Sequence, residues 1–214
     1  MKISFHGADK GVTGSCHLIE CAGKFVLIDC GMYQGGRELV EENSGPFGFD
    51  PAAIDFLLLT HAHLDHCGRI PLLVKRGFKG EVITTAASVE LARLVLLDSA
   101  GLQEEEARYQ QRKAKRRNHK KLKVDIEPLY TTLDALNSLE YFGRRAKYNQ
   151  SFQLAAGIHV TFLDAGHILG SASIMLELEE DGQNHRILFS GDLGYSGRAI
   201  LRDPAVPPTV DSVV

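Results

Sequence analysis

The stretch Thr60–Gly68 reads T-H-A-H-L-D-H-C-G and puts three imidazoles and one carboxylate within six positions. Such groups are poor core material, because each needs a hydrogen-bond partner or a compensating charge once buried. They are good material for a metal site. His61 and His63 lie two residues apart, so an extended or tightly turned backbone can send both side chains to one side, and Asp65 with His66 can be aimed at a second point nearby. Nitrogen and carboxylate donors suit zinc, and manganese and iron accept the same ligand types. A histidine-rich surface loop is the bland alternative. It serves for one histidine, but poorly for four potential ligands directly behind the apolar run Phe56–Leu59.

A second constellation follows a later apolar run. In D-A-G-H-I-L-G-S-A, Asp164–Ala172, His167 stands between Gly166 and Gly170, which allows a tight loop. S-G-D-L-G places Asp192 at the end of another apolar strand, and F-V-L-I-D-C-G does the same for Asp29. A lone Asp in such a place ordinarily satisfies the amides of its own turn. Asp29 is expected to do that and also to orient a ligand histidine or the metal loop. His61, His63 and His167 on one metal, Asp65 and His66 on a second, and Asp192 bridging the two form a chemically coherent site. Two close divalent cations would activate a bridging water and stabilise attacking and leaving oxygens, so hydrolysis is the reaction class. No nucleophile triad competes, and Gly31-x-x-x-Gly35-Gly36-Arg37 lacks the Walker lysine pattern.

Positioning these residues requires an α/β framework. The chain has 214 residues, 44% of them hydrophobic, enough for one large domain or two small ones. Its net charge of -3 gives no global sign of nucleic-acid binding. No apolar run reaches transmembrane length and no basic-apolar leader precedes Lys2, which points to the cytoplasm. Cys16, Cys21, Cys30 and Cys67 make no C-x-x-C pair and read as buried free thiols, with Cys30 and Cys67 beside site residues. Strands are expected at Lys2–His6, Ser15–Cys21 and Lys24–Asp29, the last two joined by an Ala22-Gly23 turn. The glycine-rich loop between the first two should approach another backbone closely. Asp50-Pro51 starts a very short helix. Arg69–Arg76 is a helix closed by Gly77, Glu81–Thr85 a strand and Ser88–Leu97 a further helix. Leu133, Leu136, Leu139 and Phe142 have the spacing of a helical core face. Gly157–Leu163 is a strand, and Ser173–Glu179 pairs with Gln183–Ser190 through Asp181-Gly182.

Gln103–Lys123 has a different character: Glu104–Glu106, then a basic run to Lys123. As a solvated helix, supported by pairs such as Glu104 with Arg108, or as a disordered loop, it needs no function. Lys113, Lys115, Arg116, Arg117, Lys120, Lys121 and Lys123 are also candidate phosphate contacts, although no aromatics are interleaved for base stacking.

In their order, L-I-D-C-G, T-H-A-H-L-D-H, A-G-H-I-L-G-S-A and S-G-D-L-G resemble the metallo-β-lactamase superfamily. F-H-G-A, V-T-G-S-C-H-L, L-I-D-C-G-M-Y-Q-G and F-G-F-D-P are similar to its β-CASP branch of RNA-processing nucleases, the bacterial and archaeal relatives of the cleavage and polyadenylation endonuclease. The resemblance covers most of the chain outside about 103–123. It implies a four-layer αββα sandwich with the site between the sheet edges. It implies the same ligand set, with His61, His63 and His167 on one zinc, Asp65 and His66 on the other, Asp192 bridging and Asp29 supporting. The implied chemistry is cleavage of RNA phosphodiesters by a dizinc-bound hydroxide, with Asp65 also orienting the water.

Family members continue beyond the equivalent of Val214 into a Glu-containing motif, an inserted β-CASP domain and a last lactamase segment. Residues 1–214 are therefore expected to be the N-terminal part of a lactamase domain, with faces that could self-associate as a homo-oligomer. Two other readings are open. One is a thioester or lactone hydrolase of the same superfamily, which would have no use for a basic arm. The other is a non-catalytic RNA-binding or scaffold subunit, which predicts missing ligands. On the nuclease reading, the 214-residue chain should hold one well-formed metal position at best and show weak or no ribonuclease activity, and full-rate cleavage in a labelled-RNA assay would overturn this.

Overall fold

In the computed structural model, residues 1–36, 41–117 and 126–214 are described. Two sheets face each other. The first has six strands in chain order: β1 (Lys2–Phe5), β2 (His17–Cys21), β3 (Lys24–Ile28), β4 (Phe56–Leu58), β5 (Glu81–Thr85) and β6 (Phe142–Ala146). The second has five: β7 (Phe152–Ala155), β8 (Ile158–Asp164), β9 (Ala172–Glu180), β10 (Gln183–Phe189) and β11 (Ser212–Val213), ordered β11-β10-β9-β8-β7. The expected hairpins form. Ala22 and Gly23 have φ of 49° and 71°, and Asp181 and Gly182 have 54° and 74°, so both turn residues are left-handed as a two-residue hairpin requires.

Strand alternation divides the first sheet between two cores. Ile19, Val26, Ile28, Leu58 and Ile83 face the second sheet and meet Val160, Phe162, Ile174, Leu176 and Phe189. Leu18, Leu27, Leu57, Leu59 and Val82 face the opposite way, toward the helices. Those are α1 (Leu64–Cys67), α2 (Ile70–Lys75), α3 (Ala86–Arg117) and α4 (Thr132–Ser138). Three of the four αββα layers are thus present among the described residues. The outer face of the second sheet bears no described helix; Ala205 and Val210 pack there on Leu163, Met175 and Leu188.

The parallel order β3-β4-β5-β6 brings the C-terminal ends of these strands to one edge of the sheet. Asp29 follows β3, the histidine motif follows β4, His167 follows β8 and Asp192 follows β10. The short helix at Pro51–Ala53 is a 3-10 turn capped by Asp50, whose Oδ1 accepts from Ala52 N at 2.9 Å. All four cysteines are free and buried, with Cys16, Cys30 and Cys67 in the helix-side core. No described helix is long and apolar enough to cross a membrane.

Three expectations are corrected. The helix placed at Ser88–Leu97 does not stop there: α3 runs unbroken for 32 residues, and Gly101 sits where an added Cβ would meet nothing within 4 Å. Glu104 does not pair with Arg108; its Oε1 accepts from Thr132 N at 2.8 Å and fastens the start of α4. Leu133 and Leu136 are 65% and 46% exposed, and the buried residues of α4 are Ala135 and Ser138. A capping box between Thr131 and Asp134, with Lys75 on Asp134 at 3.1 Å, sets the helix phase, and its small side chains allow close approach to α2 and α3. Of the basic run, Arg116 and Arg117 end α3, while Lys120, Lys121 and Lys123 lie outside the described residues.

Phe162→Ala, at 0% exposure between the sheets, should cost about 3–5 kcal/mol in urea denaturation, whereas Leu133→Ala should stay within about 0.5 kcal/mol. Equal losses would contradict this division of the core.

Candidate metal centre

Asp29 follows β3 directly, with φ of 60° and 1% exposure, an unusual backbone for a buried charged residue. Three donors stabilise it: Thr60 N and Thr60 Oγ1, each at 2.8 Å, and His66 Nδ1 at 2.7 Å. The Thr60 hydroxyl has one proton, which goes to Asp29. Its lone pairs can then accept from His61 Nδ1 at 3.1 Å. In that arrangement His61 Nε2 is left as an acceptor facing inward, and His66, protonated at Nδ1, presents Nε2. Asp29 therefore sets the ring orientations of two histidines, one of them through Thr60. Thr60 was not singled out by sequence; its only signal is its place between the apolar strand and His61.

The inward-facing atoms converge. His61 Nε2 lies 3.1 Å from His63 Nδ1, and His167 Nε2 lies 3.2 Å from the same atom. Asp192 Oδ2 is 3.3 Å from His167 Nε2 and 3.7 Å from His61 Nε2. Ligand atoms of these four residues all lie within 4.8 Å of one another. A tetrahedral ion with bonds of 2.0–2.1 Å spans edges of about 3.3–3.4 Å, so the donor set fits a divalent cation. Beside it, Asp192 Oδ1 is 3.3 Å from His66 Nε2, and Asp65 Oδ2 is 4.0 Å from the same nitrogen. Asp192 thus turns one oxygen to each histidine group. Cys30 and Cys67 do not join either.

Burial depresses the His61 pKa to about 3, and the neighbouring His66 charge adds to this. Burial opposes charge on His66 as well, but the Asp29 and Asp192 carboxylates outweigh it and raise that histidine to about 10. His66 in turn holds the Asp192 carboxyl well below the usual range, and burial lowers His167. The field that favours a cation at His66 comes from the two carboxylates flanking the cluster.

Close backbone contacts fix the loops. Ser15 N donates to Asp65 O at 2.9 Å, Cys30 N to His66 O and Met32 N to Leu64 O at 2.8 Å, so the α1 turn is braced from two segments. A Cβ on Gly31 would run into Asp65 O, and in the glycine-rich loop one on Gly7 would run into Gly14 O of the same loop, while one on Gly11 would meet nothing within 4 Å. On the other side, His167 N and Ile168 N donate to Ser171 Oγ at 3.0 and 3.2 Å. Thr85 Oγ1 and Ser88 Oγ, at the start of α3, donate to Gly170 O at 2.7 and 2.9 Å. Ala172 N donates to Thr60 O at 2.9 Å and joins the two sheets beside the cluster. Lys113 and Lys115 are remote from it. At 1.5 Å per residue, α3 carries Lys113 about 40 Å from its start at Ala86.

The pattern of the metallo-beta-lactamase superfamily matches residues 9–213. The chain belongs to that superfamily. Its relatives there include ribonuclease TTHA0252 of Thermus thermophilus, 38% identical over 100% of this chain and 43% of the relative. Transcription termination factor FttA of Methanosarcina mazei is 33% identical over 100% of this chain and 31% of its own length. Endoribonuclease YSH1 of Saccharomyces cerevisiae is 29% identical over 97% of this chain and 25% of its own. The chain thus spans less than half the length of these curated relatives. Among solved structures, a mutant metallo-beta-lactamase from Cronobacter sakazakii aligns with TM-score 0.53 and 20% identity over 92% of this chain and 64% of that one. FEZ-1 metallo-beta-lactamase from Legionella gormanii aligns with TM-score 0.51 and 17% identity over 91% and 62%. Both share the superfamily's fold with this chain.

Asn tolerates a left-handed φ but offers one acceptor oxygen where Asp29 offers two. Asp29→Asn should keep the fold and weaken metal binding about 10- to 100-fold in a chelator-competition titration. Unchanged affinity would show that Asp29 does not orient the ligands.

Proposed function

We propose that this chain is the N-terminal part, residues 1–214, of the lactamase domain of a longer cytoplasmic β-CASP ribonuclease, and that the longer protein hydrolyses RNA phosphodiesters with zinc as cofactor, with weak or no activity in these residues alone. The observation that carries the reading is the closure of His61, His63, His167 and Asp192 around one point, with the second Asp192 oxygen turned to His66. Support for RNA comes from relatives named ribonuclease and endoribonuclease.

His61, His63 and His167 would hold one zinc, Asp65 and His66 a second, with Asp192 shared between them. When bound, such ions neutralise phosphate charge and generate a nucleophile from water near neutral pH. The chain's own residues prepare this. Asp29 and Thr60 engage Nδ1 of His66 and His61, so that both rings turn Nε2 toward the cluster. Ser171 and the start of α3 hold the His167 turn. Asp65, partly exposed beside His66, is placed to orient water and accept its proton. Lys113 and Lys115 would meet phosphates several nucleotides from the cut, given the reach of α3.

Mass spectrometry of protein purified without added metal should find zinc in the wild type and a clear loss in His63→Ala. Metal-dependent cleavage of a labelled RNA by the longer protein should disappear with the same substitution, while thioesters and lactones are left intact. No bound metal, equal content in the mutant, or turnover of the ester panel instead of RNA would overturn the reading.

A further inference from the structure

The loop from Asp192 to Asp203 leaves the cluster and crosses the His167 turn. Gly194 N donates to Ala165 O at 2.9 Å, Arg198 Nη1 to His167 O at 2.8 Å, and Gly197 N to Asp203 Oδ1 at 2.8 Å. A Cβ on Gly194 would run into Gly166 O, so the two loops are in backbone contact. Although pinned at these points, the loop leaves Tyr195 67% exposed. The Arg198 Cζ lies 4.8 Å from the centroid of that ring. One face of Tyr195 is therefore covered by a cation, and the ring remains largely open to solvent.

Arg198 uses one of its donors on His167 O and makes no ion pair with a carboxylate among the described residues. Its remaining donors form a planar fork suited to phosphate oxygens. An aromatic face accepts any base by stacking, and a guanidinium on its other side strengthens the platform. The loop then reaches Ile200–Arg202, which with Lys147, Tyr148 and Leu169 lines a cleft of about 490 Å³. Arg202 and Lys147 are both exposed there, so the path away from the cluster carries two more cations.

We propose that Tyr195 and Arg198 form a nucleotide subsite for the RNA residue flanking the scissile phosphate. The base stacks on Tyr195, its phosphate meets Arg198, and the strand leaves along the cleft past Arg202 and Lys147. This rests on the reading of the substrate as RNA. Leu193 and Ile200, 62% and 91% exposed on the same loop, would suit a protein partner, but they do not explain a cation seated on an open aromatic ring.

The test measures binding by fluorescence anisotropy on the zinc-loaded 214-residue chain. The probes are a labelled oligouridine 12-mer and the same ribose-phosphate backbone without bases. Wild type should prefer the oligouridine by about tenfold. Tyr195→Ala should lose that preference and Tyr195→Phe keep it. Arg198→Gln should weaken both probes and reduce the salt slope by about 0.7. Zinc content should be the same throughout. If wild type binds RNA but Tyr195→Ala keeps the base preference, or Arg198→Gln changes only zinc content, the subsite is overturned while the nuclease reading stands. A wild-type chain that binds neither probe at low salt overturns the subsite, while the nuclease reading is decided separately by the cleavage assay on the longer protein.

Discussion

A buried carboxylate organises this molecule's functional edge. Asp29 sits at 1% exposure in a left-handed backbone conformation, a combination that persists only when its surroundings satisfy the charge. The satisfying donors come from different places: the backbone and hydroxyl of Thr60 after β4, and the ring of His66 in α1. One side chain therefore sets the spacing between the ends of two strands and the pitch of the turn that follows. His61 inherits its orientation through the Thr60 hydroxyl. Removing this anion would leave several buried donors facing nothing, which is why it cannot be regarded as one more polar residue near a site.

Around that anchor the protein solves a problem of assembly. Donors from the first sheet, His61 and His63, must meet donors from the second, His167 and Asp192. Two devices align them. The Thr60 carbonyl accepts from Ala172 N, so the strand delivering His61 is tied to the strand that follows the His167 turn. Glycines then let neighbouring loops touch backbone to backbone, as at Gly31 against Asp65 and Gly194 against Gly166. Their missing side chains are as necessary to the cluster as the imidazoles, because a methyl group at either place would push a ligand loop outward.

What could be read from sequence followed the strength of local signals. Apolar strands ending in Asp or His, and left-handed turns at Ala22-Gly23 and Asp181-Gly182, are short-range patterns, and the structure has them within a residue or two. The residues brought together at the cluster were also the ones picked out by type and spacing. The misjudged parts depended on distant partners. Glu104 has an equally good helical neighbour in Arg108, yet its acceptor is used by Thr132, 28 positions away. The spacing of Leu133 and Leu136 suggested a core face, but capping at Thr131 and the need for close helix contact selected Ala135 and Ser138 instead. Thr60, Ser171 and Arg198 have ordinary side chains whose roles appear only when another loop arrives beside them.

The division of the donor set between two sheets has a thermodynamic consequence. An ion bound by His61 and His63 on one side and His167 and Asp192 on the other binds the docked sandwich and has no matching site when the sheets part. Its binding is then linked to their docking: at a free concentration of 100 times the dissociation constant, such linkage contributes about 2.7 kcal/mol to the closed state. That is comparable to the burial of a large side chain between the sheets. Such an ion would be a structural element of the interface, and a chelator would act on the architecture as well as on the chemistry.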